Sequence, residues 1–494
     1  MFKWVKNKLS NIQIYELLLL IFIPCIILLY YGWEMDVDIW FILNVGRYIY
    51  ANGFPHTEIF TMHERLNYVV QQWAYAVVVW PVFKWIGPLG IFIINQILNV
   101  ILYFLLYKLC MVVSDKNKKL SLIFSTLIFS LLAYSFFITL RPHMITYICL
   151  VSTLIIWEKY IKNGNWKILL LLPLVSIINS NFHAAMWWMI IIYSLPFIAE
   201  VFIRQVIKKE KKLNVDVRIM IIILCITFMC GCINPYGIDA ITYLTKTGNP
   251  YVSGFISEMH STTIFSRIGI IIILTISIYI IYIAKVKKND FKIRHFFLLI
   301  GSTILGFSAL KCGALFILGA LYPLCYYCRK LKFGKDISFR KQTLLYKIIY
   351  IVFIAFMCIF IILWAPHRLS FKERVYNSDR LIELKEKIGT ENVTLYINYN
   401  RGSFAEYIGF KCYIDSRAEV FYKSMNEKAD IFNEYYELQN GMMDVNEFLD
   451  KYKFTHLYID FNDYIFMFRD LDNYHIIDER GDYRIYERDD YNES

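Results

Sequence analysis

The sequence predicts an α-helical, polytopic membrane protein of about eleven transmembrane helices that carries a small α/β soluble domain at its C-terminal end. Three observations lead there. Of the 494 residues, 57% are hydrophobic and 18% aromatic, and long stretches almost free of charge recur, as in Leu17 to Tyr31, Leu120 to Leu140 and Ile270 to Ala284 with their flanks. In lipid such a stretch satisfies its backbone only as a helix. The net charge of +11 divides unevenly: residues 1–365 carry 35 Lys and Arg against 15 Asp and Glu, and residues 366–494 carry 17 against 26. The composition also turns from apolar to charged and aromatic after Pro366, which marks a boundary between a membrane domain, 1–365, and a soluble domain, 366–494.

The apolar runs are met in order by spans near 15–32, 89–112, 119–139, 143–160, 166–182, 184–203, 218–234, 268–285, 295–310, 312–328 and 347–364. The first is no cleaved signal peptide, because no small-residue cleavage site follows it and Tyr31-Gly32-Trp33 reads as an interfacial belt. The segment 71–87, QQWAYAVVVWPVFKWIG, is apolar but short, holds three tryptophans and is broken by Pro81. It is expected to lie along the interface within an outer loop spanning 33–88. With that segment flat, 27 Lys and Arg fall on one side of the membrane and seven in the opposite loops ahead of the soluble domain. The positive-inside rule then makes the N-terminus cytoplasmic and the C-terminal domain extracytoplasmic. The basic excess is thus a topology signal and no footprint of nucleic-acid binding.

In the C-terminal domain, Val393–Ile397, Lys411–Ile414 and His456–Ile459 are short runs of β type, Ser424–Leu438 and Val445–Tyr452 have helical periodicity, and Tyr474–Glu487 reads as a hairpin turning at Arg480-Gly481-Asp482. Ten of eleven cysteines lie in or beside apolar helices, and Cys412 stands alone in the soluble domain, so no internal disulfide can staple that domain. Cys230-Gly-Cys232 and Cys325-Tyr-Tyr-Cys328 have pair spacings known from metal sites, without a second pair or a histidine beside them. They read as helix packing.

The chemically useful side chains gather at the outer ends of the expected spans: Glu34, Asp36 and Asp38; Arg141 and His143; Asn179, Asn181 and His183; Asn234 and Tyr236; Glu258 and His260; Lys311. Two acids one residue apart at a lipid surface need water, a cation or a substrate beside them, although one of the pair Asp36/Asp38 can instead cap a helix beginning near Ile39. Arg141, ahead of Pro142 at a helix start, suits either phosphate or lipid headgroups. Asn179-Ser-Asn-Phe-His183 joins two spans with almost no loop and is either a helix-helix hydrogen-bond junction or a cavity rim. Asn234-Pro-Tyr-Gly237 is first a turn that ends a helix. Asp415-Ser-Arg417-Ala-Glu419 follows a strand, where α/β folds place binding residues; the competing reading is an internal salt-bridge network.

The stretches DVDIWFILNVGRYIYANGFPHTEIFT, QQWAY, RPH, NSNFHAA, INPYG and RGSFAEYIGFKCYIDSRAEVF resemble the GT-C superfamily of membrane glycosyltransferases, and more closely its poorly characterised bacterial polytopic members with a C-terminal extracytoplasmic domain. The resemblance implies an enzyme that passes a sugar, with inversion, from a polyprenyl-phosphate-linked donor to a glycan, lipid or protein acceptor at the outer face of the cell membrane, in the assembly of cell-surface polysaccharide, glycolipid or glycoprotein. Asp36 or Asp38 would be the general base. Arg141, His143, His183 and Lys311 would hold the donor phosphate; relatives tend to have arginine near Lys311, and lysine offers a point charge without the arginine fork. The superfamily includes metal-assisted and metal-independent members, so a divalent ion such as Mg or Mn is an open alternative, with Asp36, Glu258 and His260 as its ligands. Asp415, Arg417 and Glu419 would contact the acceptor. Rival readings are a lipid-linked saccharide transporter or flippase, a polysaccharide polymerase, and an inactive membrane scaffold. Transport loses ground because charges avoid the span centres and no repeated halves are visible.

Overall fold

The computed structural model describes residues 23–24, 37–135, 137–139, 141–210, 213–248, 255–285, 291–329, 378–460, 463–467, 471–481 and 483–491. The expected spans 15–32 and 347–364 lie outside the described residues apart from Ile23 and Pro24, and so does Asp36 of the loop that follows the first span. The helical part runs α1 (Ile39–Asn52), α2 (Trp73–Ile86), α3 (Pro88–Val113), α4 (Lys118–Tyr134), α5 (His143–Asn163), α6 (Leu171–Phe182), α7 (Trp188–Phe202), α8 (Val217–Gly231), α9 (Ile238–Lys246), α10 (Arg267–Lys285), α11 (Ile293–Ser308), α12 (Gly313–Ala320) and α13 (Tyr322–Cys328).

Local chemistry sets several of these boundaries. The Asn117 side chain accepts from Leu120 N at 3.1 Å and opens α4, and Asp216 accepts from Arg218 N at 2.9 Å and opens α8. Gly87, at φ 71°, separates α2 from Pro88 at the head of α3. Among the described residues five helical stretches are long and apolar enough to cross a membrane: Pro88–Val113, His143–Asn163, Ala184–Ile207, Arg267–Ala284 and Leu310–Cys328. Four more apolar stretches are shorter: Trp73–Ile86, Trp166–Phe182, Val217–Gly231 and Ile293–Ser308.

The C-terminal part holds α14 (Ser378–Ile388), β1 (Thr394–Tyr396), α15 (Tyr399–Ile408), β2 (Lys411–Cys412), α16 (Lys423–Asn426), α17 (Ile431–Gln439), α18 (Val445–Tyr452), β3 (His456–Asp460), α19 (Tyr464–Met467), β4 (Tyr474–Arg480) and β5 (Tyr483–Arg488). One sheet has the order β2-β1-β3-β5-β4. Leu395 of β1 is in register with Cys412 and His456 in the two parallel pairings, and the β4–β5 hairpin adds antiparallel strands on the β3 side.

Two large apolar cores result. One lies inside the helical bundle around Leu106, Leu150, Phe197 and Leu318. The other is shared between α1, α2 and the C-terminal sheet, with Ile39, Leu43, Ala76, Leu395, Phe404 and Ile459 all buried in it. Trp40 of α1 meets Phe404 and Tyr407 of α15 at ring separations of 4.7 and 5.0 Å. Gly46 lets α1 lie against α2, because a Cβ there would collide with Ala76 O. Thus the segment after the first expected span packs against the C-terminal part as well as against α2.

Candidate functional site

Asp38 is the residue before α1, yet its carboxylate makes no capping bond to the helix. It turns to Arg141, whose Nη2 lies 3.3 Å from Asp38 Oδ2. The Nη1 of Arg141 donates to both oxygens of Glu258 at 3.2 and 3.3 Å. One guanidinium therefore bridges carboxylates from two segments more than 200 positions apart in the chain, and all three side chains keep contact with solvent, at 25% for Arg141, 23% for Asp38 and 46% for Glu258. Such a group sets two carboxyl side chains on one forked cation.

The neighbouring candidates converge on this bridge. His183, in the turn between α6 and α7, is hydrogen-bonded through Nδ1 to Thr146 Oγ1 at 2.8 Å, and Thr146 donates to Asn179 Oδ1 at the same distance. Burial, followed by the charges of His143, Lys311 and Arg141, pushes the His183 imidazole down to about 3. Thr146 gives its one proton to Asn179, so His183 Nδ1 carries the proton of the neutral ring and donates it to Thr146, and Nε2 is left as an acceptor, which corrects the expectation of a cation there. His143 bonds through Nε2 to Phe137 O at 2.8 Å, so that nitrogen is engaged locally. Lys311 is exposed and has no hydrogen bond or ion pair among the described residues. The junction reading of the Asn179–His183 stretch fits its bonds: Asn181 donates to Ile233 O at 2.8 Å and accepts from Trp73 Nε1 at 3.0 Å. Asn234 makes the expected turn, accepting from Tyr236 N at 2.9 Å, while Tyr236 donates to Pro55 O at 2.9 Å.

Against the α15 side of the site stands Tyr399. Burial, and then the Asp38 carboxylate, pushes its phenol well up, and its hydroxyl donates to Ser416 O at 2.7 Å. The C-terminal sheet thereby faces the Asp38 end of the bundle.

Asp415 and Arg417 are not available to an acceptor in this arrangement. Both are buried, Arg417 Nε donates to Asp415 Oδ2 at 2.8 Å, and Nη1 donates to Glu58 Oε2 at 2.7 Å. Glu406 completes the cluster, 3.4 Å from Arg417 Nη2. Burial, then Asp415, pushes the Glu406 carboxyl well up. The salt-bridge network that competed with acceptor binding is present, and its third carboxylate comes from the 33–88 loop, which sequence reasoning missed. The same loop bonds the sheet through Met62 N to Cys412 O at 2.9 Å and His63 Nε2 to Tyr413 O at 2.8 Å. Glu419 stays half-buried and accepts from Gln71 Nε2 at 2.7 Å.

A second missed cluster lies inside the bundle. Arg294 donates to Glu158 at 2.8 Å and to Glu200 at 2.9 Å, while His295 and the Tyr322 hydroxyl reach Glu158 at 3.0 and 3.1 Å. Glu158 and His143 belong to the same helix, 15 positions and about 22 Å apart along its axis, so this cluster is remote from Asp38. Each of its acids lies within about two turns of a helix end and reads as interfacial in the sequence alone.

For the metal alternative, the described residues contain no group of three or more His, Cys, Asp or Glu able to hold an ion. Glu258 is engaged with Arg141, His260 is exposed, and Asp36 lies outside the described residues. Among the described residues the donor set makes up no divalent-ion site.

No family model matches the chain, and no curated protein matches it. Among solved structures, the oligosaccharyltransferase of Archaeoglobus fulgidus, crystallised with a disulfide-tethered acceptor peptide containing the NVT sequon, matches with a TM-score of 0.57 at 10% identity. The match covers 91% of this chain and 70% of that one. Identity so low speaks for the fold alone: the chain shares the overall fold of that oligosaccharyltransferase.

Proposed function

We propose that the protein is a membrane glycosyltransferase that passes a sugar from a polyprenyl-phosphate-linked donor to a cell-surface acceptor at the outer face of the membrane. The observation that carries this reading is the solvent-accessible Asp38–Arg141–Glu258 bridge, with Lys311, His143 and His183 beside it and Tyr399 of the C-terminal part closing one side. The fold shared with an oligosaccharyltransferase supports the reaction class. The positive-inside balance supports the outer face.

In the reaction, an acceptor hydroxyl attacks the anomeric carbon of the donor. The new bond forms as the bond from that carbon to the phosphate oxygen breaks, and the electron pair leaves with the lipid phosphate. The acceptor proton passes to a carboxylate, Asp38 or Asp36. Arg141 and Lys311 neutralise the departing phosphate. Acceptor contact by the C-terminal part falls to Glu419, which is half-buried, rather than to Asp415 and Arg417, which hold the loop bearing Glu58.

The test is transfer by the purified full chain from a panel of polyprenyl-phosphate sugars to membrane acceptors, for wild type, Asp38→Asn and Asp36→Asn, with and without added divalent cation. Loss of transfer in one folded variant identifies the base. Binding across the donor panel without any turnover in wild type overturns the enzyme and favours a flippase.

A further inference from the structure

We propose that Glu258 is an internal occupant of the Arg141 anion site, seated there by the ring of Phe255, and that the donor phosphate must displace it. This rests on the reading of Arg141 as a phosphate ligand.

The charge balance at Arg141 itself favours a displacement. Arg141 already serves two carboxylates, Asp38 through Nη2 and Glu258 through Nη1. A phosphate added to that pair would bring a third anion to one guanidinium, whereas an exchange of Glu258 for phosphate keeps the count and uses the same forked geometry. Of the two carboxylates, Asp38 is the less exposed, and its backbone carbonyl accepts from Ile42 N at 3.3 Å in the first turn of α1. Glu258 is twice as exposed and sits on a single 3-10 turn, Ser257–Met259. It is the partner free to leave.

The turn is pinned on both sides. Upstream, the Phe255 ring stands edge-on to three aromatic rings of the C-terminal part: Tyr399 at 5.7 Å, Phe432 at 5.8 Å and Tyr435 at 5.5 Å. Downstream, His260 O accepts from Leu310 N at 2.9 Å and Thr262 N donates to Phe307 O at 3.2 Å. The downstream pins are backbone bonds to the turn that carries Lys311 and to the helix end before it; upstream, among the described residues, the Phe255 ring sits in an aromatic socket while Ile256 and Met259 pack against the same core. Tyr399 forms a wall of that socket and also lies within the electrostatic reach of Asp38. Phe255 is therefore a positioning residue: it acts on the site through Glu258, three positions along the chain.

The experiment uses the full chain in lipid nanodiscs, with two readouts. Amide hydrogen exchange over residues 256–262, without ligand, reports whether Phe255 holds the turn. Binding of undecaprenyl phosphate reports the competition. Phe255→Ala is expected to raise exchange over 256–262 while β3 and β5 stay protected, and to tighten undecaprenyl phosphate binding by about tenfold, the gain when a site about one-tenth vacant becomes fully vacant. Glu258→Gln should tighten binding equally, the double variant should bind no tighter than either single one, Phe255→Tyr should restore wild-type behaviour, and Arg141→Gln should abolish binding. If wild type binds and Arg141→Gln does not, yet Glu258→Gln and Phe255→Ala leave the affinity unchanged, Glu258 is no competitor and the inference falls while the proposed function stands. If exchange rises as expected but no variant binds undecaprenyl phosphate, the phosphate reading of Arg141 fails, and the displacement with it. Unchanged exchange in Phe255→Ala removes Phe255 from the account outright.

Discussion

Arg417 and Arg141 each gather carboxylates from distant parts of the chain, and they differ in what surrounds them. Around Arg417, Glu58, Asp415 and Glu406 are all buried, and the guanidinium itself is 2% exposed. Around Arg141 the same kinds of group keep a quarter to a half of their surface in water. Removing a buried partner strands an uncompensated charge, so a sealed cluster cannot trade partners; an open one pays little for an exchange. The sealed arrangement joins the 33–88 loop to the C-terminal part, and the open one keeps its charges within reach of water. Arg294, with Glu158 and Glu200, belongs to the sealed kind.

The largest test of that contrast is Arg417→Met. It leaves Glu58 and Asp415 buried without their cation and is expected to cost about 3–5 kcal/mol, seen as a large fall in the unfolding temperature of the purified full chain. A fall no greater than that of a surface substitution would mean that the cluster is open in solution and the distinction is wrong.

Asp463 offers a second sealed case with a pH signature. Burial, and then the Asp460 carboxylate, pushes its carboxyl up to about 7, while Gln439 donates to it at 3.2 Å. The folded pKa is raised above the unfolded value of about 3.9, so the folded state holds the proton more tightly. Stability from this group is complete below about pH 4 and declines as pH rises toward about 7, by at most about 4 kcal/mol. Asp463→Asn removes the titration. The difference in unfolding temperature between Asp463→Asn and wild type should widen from pH 5 to pH 7 and then level; a constant difference would show that Asp463 is charged throughout.

How much of this was legible depends on range. The long apolar runs at 88–113, 143–163 and 267–285 declare their helices because lipid leaves the backbone no alternative. Strands β1 and β3 and the β4–β5 hairpin follow from β-branched and aromatic runs with a Gly turn. Helix α15 escaped because it has no polar face: Arg401, Ser403 and Glu406 are as buried as Phe404 and Ala405, and their partners lie elsewhere in the chain. Gly402 within it is required by packing, since a Cβ would collide with Ile414 O, and no spacing rule announces that. Asp38 and Arg141 stood out singly as charges beside apolar spans, but their pairing, like that of Glu58 with Arg417, joins residues too far apart for any local pattern to register.

The smallest expected change in stability falls at the site itself, and that is what makes it decisive. Arg141→Gln removes both of its ion pairs, yet every group involved is partly hydrated, so the released carboxylates return to water and the loss should be within about 1 kcal/mol. If the open cluster is the place where a phosphate is neutralised as it leaves, the same substitution should lower transfer at least about 100-fold, the usual consequence of removing one preorganised charge from a developing anion. Unfolding temperature and transfer rate measured on one preparation separate the two effects. A variant that keeps both its stability and its activity would leave Arg141 as a headgroup anchor; one that loses stability as deeply as Arg417→Met would place Arg141 among the sealed clusters and move the search for the site to Lys311.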